Sequence, residues 1–198
     1  MQQPIAALLL CLALPISAAQ AVEGDFAHLT REGERLVTRH SLRYAFRANA
    51  EWTIAEPLHR TARFNDVPFE VSLSGFLQTD AAIMIHAEHV SDGSGASNYD
   101  HFPLSEWPAT GFRAKPRACF EVSAEIVEEE HDLAWLRDHG FDPVGAAWIE
   151  QYFLSGNGYN DEIVISLIVR GSGCEPADAP EAALARLRAA LHVSPLTP

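Results

Sequence analysis

Residues 35–47 alternate polar and apolar side chains more regularly than any other part of the chain. One parity is mostly apolar, while the other carries four arginines at a spacing of four: Arg35, Arg39, Arg43 and Arg47. A period of two is typical of a strand with one buried face. The pattern therefore predicts a single long, half-buried strand over residues 35–47, followed by a short strand that carries Trp52 and Ile54.

Two apolar runs follow at residues 69–77 and 81–90. The first alternates with polar residues, which indicates one buried face. The second is apolar on both parities in its first half, which is typical of a central strand covered on both sides. The three residues between them are few enough for a hairpin. A polar loop is expected from residue 91 to about residue 118, and loops of that length are often functional.

The second half of the chain mixes strand and helix patterns. Residues 120–126 alternate like a strand, and residues 128–139 predict a helix that ends at a left-handed Gly140. Residues 148–154 and 162–170 predict a hairpin around a Ser-Gly-Asn-Gly turn. The first arm has an alternative, because Asp142-Pro143 is also a good helix start.

The chain closes with an amphipathic helix over residues 180–192, in which three leucines share one face. These elements predict an α+β fold: a single domain over residues 22–198, built mainly on an antiparallel sheet of about six strands with two or three helices. The order of an early Trp-bearing strand, a meander and a closing helix loosely resembles the Mog1/PsbP-like fold. The resemblance is an analogy of fold only and implies no residue roles.

The first 21 residues have the pattern of an export signal. A ten-residue apolar run, residues 5–14, precedes the small residues Ala19-Gln20-Ala21, which suit a signal peptidase. The alternative is a buried N-terminal helix, although this stretch has no polar face. We expect residues 1–21 to be a cleaved signal peptide and the protein to be periplasmic or secreted.

Removal of that segment would leave two cysteines, Cys119 and Cys174. An even pair of cysteines in an oxidising compartment normally forms a disulfide. We therefore predict a Cys119–Cys174 bridge, which would leave no thiol for nucleophilic or redox chemistry.

The charge of the chain is strongly acidic and unevenly distributed. Asp and Glu number 27 against 14 Lys and Arg, a formal net charge of −13. This balance argues against nucleic acid as a partner, since that function needs a basic surface. The central segment, residues 64–111, carries acids but no Lys or Arg, whereas the segment before it is rich in arginine.

The four regularly spaced arginines form the first candidate surface. On one continuous strand, Arg35, Arg39, Arg43 and Arg47 would share a face, and guanidinium groups bind carboxylates and phosphates well. The functional interpretation is a site for an anion or an acidic partner. The alternative is pairing with the protein's own acids, such as Glu70 or Glu88 on adjacent strands.

A group of imidazoles and carboxylates forms a second candidate. His86, His89, Asp100 and His101 are suitable ligand types for zinc or another divalent ion. On a strand, however, His86 and His89 point to opposite faces, so a site would need the strand to bend at the glycine-rich turn that follows. The alternative is a polar strand end and a solvated loop.

No nucleophile elbow, phosphate-binding loop or cofactor motif is present in the sequence, and we expect no cofactor. Trp107 lies in the long polar loop, where an exposed aromatic could anchor a ligand; the other tryptophans are expected in the core. The sequence therefore favours a non-catalytic binding or accessory protein of the cell envelope, with an envelope protein or a small ligand as its partner. The alternative is a metal-binding protein or metal-dependent hydrolase that uses the His86, His89, Asp100 and His101 group.

Overall fold

The computed structural model describes residues 25–197, so the predicted signal peptide lies outside the described residues. Within that range the strands are β1 (Leu29–Glu32), β2 (Arg35–Thr38), β3 (Tyr44–Arg47), β4 (Thr53–Ile54), β5 (Leu58–Phe64), β6 (Val67–Leu77), β7 (Ala81–Val90), β8 (Arg113–Val122), β9 (Gly145–Gly156), β10 (Asp161–Arg170) and β11 (His192–Pro195). The helices are α1 (Ala124–Glu129), α2 (His131–Asp138) and α3 (Glu181–Ala190), with a 3₁₀ turn at Pro176–Asp178. No helix in this part of the chain is long and apolar enough to cross a membrane.

The strands form two antiparallel sheets. In the large sheet β6, β7, β10, β9 and β8 are hydrogen-bonded in that order, and both β4 and β5 pair with β6. The small sheet has the order β1, β2, β3, β11. The expected antiparallel α+β fold is therefore present, but with eleven described strands in two sheets rather than about six in one.

Strand β7 lies between β6 and β10, as its two apolar faces predicted. On one face of the large sheet, Ile83 and Ile85 pack against the small sheet and α3. On the other face, Ala82 and Met84 pack against residues of α1 and α2. The domain thus has three layers, and the large sheet is the middle one.

The expectation of one long strand over residues 35–47 is wrong. Strands β2 and β3 form a hairpin in which Val37 is opposite Ala45. The buried Thr38 side chain closes the turn, because its hydroxyl donates to the Leu42 carbonyl at 2.5 Å and accepts the Tyr44 N–H at 2.8 Å. Alternation continues through the turn, so the sequence pattern did not reveal the reversal.

Two predicted hairpins are confirmed. Strands β6 and β7 are joined at residues 78–80, where the Gln78 N–H donates to the Ala81 carbonyl at 2.9 Å. Strands β9 and β10 are joined by a turn with Asn157 and Gly158 in left-handed conformations. The alternative helix start at Asp142 is not adopted.

The region around residues 113–139 differs from its prediction. Strand β8 begins at Arg113, within the expected loop, and its pairing with β9 shifts register between Lys115 and Ala118, where Pro116 has no N–H to donate. Residues 124–126 belong to a helix rather than a strand, because the Ser123 hydroxyl caps α1 by accepting the Ile126 N–H. The expected single helix is divided at Glu130, which has an extended conformation. The left-handed Gly140 is confirmed at φ 93°.

The disulfide Cys119–Cys174 is present, with its Cα atoms 5.4 Å apart. It connects edge strand β8 to the segment that follows β10. The predicted closing helix is also present as α3, with Leu184 and Leu187 buried in the core. Strand β11, which follows it and pairs with β3, was not predicted.

Polar contacts hold the first residues of β10 against the small sheet. The Nε2–H of His40 donates to the Glu162 carbonyl at 3.0 Å, and the Ser41 N–H donates to Oδ2 of Asp161 at 3.2 Å. The other carboxylate oxygen of Asp161 accepts from Nδ1 of His89 at 2.6 Å. This end of β10 is therefore fixed from one face, while the Glu162 side chain lies on the opposite face.

Candidate functional site

Five ionisable side chains are buried together on the face of the large sheet that α1 and α2 cover. We call them the buried charge cluster: Arg60, His86, Glu88, Asp132 and Glu162. None of them is more than 5% exposed. Such residues are almost never fully buried unless they are paired, so their presence here requires an explanation.

The strand register places four of the five on one face. Arg60 of β5 is opposite Val71 of β6, which is opposite Glu88 of β7, which is in turn opposite Glu162 of β10. Directly opposed residues in antiparallel strands point to the same side of the sheet. His86, two residues before Glu88, shares that face because side chains alternate along a strand.

Asp132, in the first turn of α2, closes the cluster from above. Its Oδ1 accepts from Nη2 of Arg60 at 3.0 Å, and its Oδ2 accepts from Nε2 of His86 at 3.2 Å. Burial alone would raise the pKa of Asp132, but the neighbouring His86 and Arg60 outweigh burial and hold that pKa well below its usual value. Asp132 is therefore the ionised member of the cluster.

Glu88 and Glu162 form a carboxyl pair with the opposite behaviour. Burial raises the pKa of Glu88 well above its usual value, and the adjacent Glu162 raises it further. Burial also raises the pKa of Glu162, which has Tyr99 and Ser97 beside it. Two buried carboxyl groups in contact cannot both ionise readily, so the last proton leaves the pair only at a pH above the ordinary glutamate range.

Several buried polar atoms of the cluster have no hydrogen-bond partner among the described residues. They are Nε of Arg60, Nδ1 of His86 and Oε2 of Glu162. An unpartnered buried donor or acceptor costs about 1–3 kcal/mol. The cluster therefore has unused hydrogen-bonding capacity in the protein interior.

Glu130 connects the cluster to the surface. It is the single residue between α1 and α2 and is half-buried. Burial, together with the nearby charges of Asp132 and Glu129, raises the pKa of Glu130 to about 7. A half-buried acid beside the cluster therefore changes its charge near neutral pH.

The residues of the predicted metal site lie in separate environments. His86 contacts Asp132, whereas His89 lies on the other face of β7 and contacts Asp161. Asp100 accepts from the Tyr159 hydroxyl at 2.6 Å, and His101 packs against Phe102 with ring centroids 4.0 Å apart. Among residues 25–197, no group of three or more His, Cys, Asp or Glu side chains is placed to hold a metal ion.

The four predicted arginines do not form one row. Arg35 and Arg39 both pair with Glu32 of the adjacent strand, and Arg39 also donates to Oγ1 of Thr30 at 2.9 Å. Arg43 and Arg47 are exposed, on the β2–β3 turn and at the end of β3. The acids named as alternative partners are engaged elsewhere: Glu70 contacts His28, and Glu88 belongs to the buried charge cluster.

Trp107 lies half-buried against the core rather than projecting from its loop. Its indole N–H donates to the Arg188 carbonyl at 3.1 Å, and its ring packs edge-on against Tyr152 at 4.5 Å between centroids. This side chain connects the long loop to α3, and its role as a ligand anchor stays a prediction.

Sequence reasoning identified His86 and noted Glu88 but missed the other three members of the cluster. Asp132 has the position of an ordinary charge in the first turn of a helix, and Arg60 lies in an unpredicted strand. The sequence did contain one signal of the buried cluster, namely ionisable residues at positions that should face the core. His86 and Glu88 lie on the same face of their strand as Met84, and Glu162 lies on the same face as Ile168.

Comparison with known proteins adds no relatives. No family model matches the chain, and neither the curated proteins nor the solved structures contain a match.

Glu88→Gln is expected to gain stability relative to the unmodified protein as the pH rises from about 5 to about 8. Because the pKa of Glu88 is raised in the folded chain, the folded state binds more protons than the unfolded state above the ordinary value of 4.5. The free energy of unfolding contributed by Glu88 therefore falls as the pH rises, and Gln removes that dependence. Urea unfolding at several pH values measures the difference.

The comparison must be made between variants, because burial lowers the pKa of His40 and gives a pH dependence of the opposite sign. Glu51→Gln, at an exposed position, is the matched control and should track the unmodified protein at every pH. A Glu88→Gln difference that does not change with pH would show that Glu88 is ionised in the folded chain.

Proposed function

We propose that this protein is an exported, non-catalytic binding protein and that its ligand site is the buried charge cluster. The observation that carries the proposal is the burial of five ionisable side chains with polar atoms left unpartnered at Arg60, His86 and Glu162. Apolar side chains of similar volume would often stabilise such a position equally well or better. Perturbed ionisable groups gathered in one place are characteristic of functional sites.

Export is supported by the disulfide between Cys119 and Cys174, since such bonds persist mainly in oxidising compartments. The signal-like pattern of residues 1–21 points the same way. The acidic balance of the chain, −13, disfavours nucleic acid as the partner and is compatible with a small polar ligand.

The binding proposal is tested by thermal unfolding in the presence of a library of small amines, carboxylic acids, amino acids and sugars. A ligand that binds only the folded chain stabilises it by about 2.7 kcal/mol at a concentration one hundred times its dissociation constant. We expect at least one compound class to raise the melting temperature in a concentration-dependent manner.

The same screen on His86→Gln and Glu162→Gln should lose that increase, whereas Glu128→Gln should retain it. Glu128 is exposed on α1 and pairs with Arg137, so its substitution leaves the cluster unchanged. If no compound of any class stabilises the protein, or if the increases are the same in all three variants, the cluster is not a ligand site.

A further inference from the structure

The carboxyl pair of Glu88 and Glu162 has no cation of its own. Asp132 already contacts both Arg60 and His86, each within 3.2 Å of its carboxylate. Among the described residues, no Lys, Arg or His side chain forms an ion pair with Glu88 or Glu162. Three carboxyl groups thus share two basic side chains, and the two left over are directly opposite each other on adjacent strands.

The carboxyl pair itself has an unused acceptor. Oε2 of Glu162 has no donor, and its side chain is 98% buried, the complement of its 2% exposure. A molecule that satisfies this oxygen must therefore bring an N–H or O–H donor.

Acidic residues near the buried charge cluster favour a positively charged ligand. The half-buried Glu130 lies two residues before Asp132, and the exposed Glu129 precedes it on α1. Residues 64–111, which include the His86 and Glu88 strand, contain no Lys or Arg. Clustered charge of one sign attracts ligands of the opposite sign and accelerates their association.

The geometry is not that of a metal site. No three His, Cys, Asp or Glu side chains within residues 25–197 are arranged around a common point, and Ca²⁺ or Zn²⁺ requires at least that number of protein ligands in a stable site. Two adjacent carboxylates are instead sufficient for an ammonium or guanidinium group, which donates several N–H bonds from a single head.

On the premise that the cluster is a ligand site, as proposed above, we propose that its ligand is an organic cation with an ammonium or guanidinium head group, bound between Glu88 and Glu162. The head group takes the place of the proton that the pair shares in the free protein. As the cation enters, that proton passes to solvent, so the positive charge of the ligand replaces the positive charge of the proton. Binding is therefore stronger at higher pH.

The experiment uses three probes of similar shape: butylguanidinium, butylammonium and the uncharged butylurea. Isothermal titration calorimetry in two buffers of different ionisation enthalpy measures affinity and proton release together. We expect one or both cations to bind and to release up to one proton per molecule at a pH at which the free pair is still protonated. Butylurea should bind at least about tenfold more weakly.

Glu88→Gln and Glu162→Gln are each expected to weaken cation binding at least about tenfold, and Glu128→Gln should leave it unchanged. Both cluster substitutions preserve side-chain size, and each replaces a carboxyl of the proton-sharing pair, so both variants should fold. Failure of both cations to bind, or binding with no proton release, would overturn the inference. If the wider library instead yields an uncharged or anionic ligand whose binding is abolished by His86→Gln, the proposed binding function is supported and only the assignment of a cation is wrong.

Discussion

Asp132→Asn is expected to lower the free energy of unfolding by about 3–5 kcal/mol, the typical cost of removing one partner from a buried ion pair. Asp132 is the only member of the cluster that contacts both basic side chains, Arg60 at 3.0 Å and His86 at 3.2 Å. Asparagine is the same size but neutral. It would leave the Arg60 guanidinium, only 5% exposed, without a compensating charge.

Chemical unfolding of Asp132→Asn and Asp138→Asn in parallel measures this effect. Asp138 ends the same helix, is exposed and pairs with Arg137, so its loss should cost about 0–1 kcal/mol. The double variant Arg60→Met with Asp132→Leu should be less destabilised than the sum of its single substitutions, because neither charge is left alone. Equal losses for Asp132→Asn and Asp138→Asn would mean that Asp132 is not a buried charge.

Replacing both cysteines, Cys119→Ser with Cys174→Ser, is expected to lower the free energy of unfolding by about 4 kcal/mol. The two residues are 55 positions apart, so the bond restricts a long loop of the unfolded chain. In the folded chain it connects edge strand β8 to the segment after β10, where the Trp148 indole also donates to the Gly173 carbonyl at 2.9 Å.

A reducing agent provides the control for the disulfide. The reduced natural chain should unfold at the same denaturant concentration as the double serine variant, and the reductant should have no effect on that variant. Ligand binding should be retained in the variant, because Cys174 follows the end of β10 opposite to Glu162. A reduced chain as stable as the oxidised one would contradict this account of the disulfide.

The elements that were predicted correctly have a clear hydrophobic pattern, and the strands among them pair with a strand that is close in the sequence. Residues 69–77 and 81–90 carry clear strand patterns and are joined by three residues, so pattern and turn specify the same hairpin. The hairpin of β9 and β10 and the amphipathic face of α3 belong to the same class.

The elements that were missed depend on distant partners or lie at sheet edges. Strand β11 pairs with β3 across most of the chain length, and β5 is a polar strand that pairs only with β6. Residues 35–47 keep their alternation through the turn, which is closed by hydrogen bonds of the Thr38 hydroxyl. Sequence periodicity contains no information about such long-range pairing.

The candidate site was even less predictable than the fold, for a physical reason. A charged residue is most often exposed, so Asp132 on a helix and Arg60 on a polar strand gave no reason to expect burial. Their meeting depends on the register of four strands and the position of α2 above them. Only His86 and Glu88, which continue the apolar face of a central strand, were visible in advance.

The most direct test of the central claim, that Glu88 and Glu162 form a proton-holding pair ready for a ligand, is a carboxyl ¹³C NMR titration of both residues. We predict that at least one of the two carboxyls titrates well above the ordinary value of 4.5 in the free protein and that its titration moves to lower pH when butylguanidinium or butylammonium is added. Two carboxyls that both ionise near the ordinary glutamate value of 4.5, with no response to either cation, would contradict it.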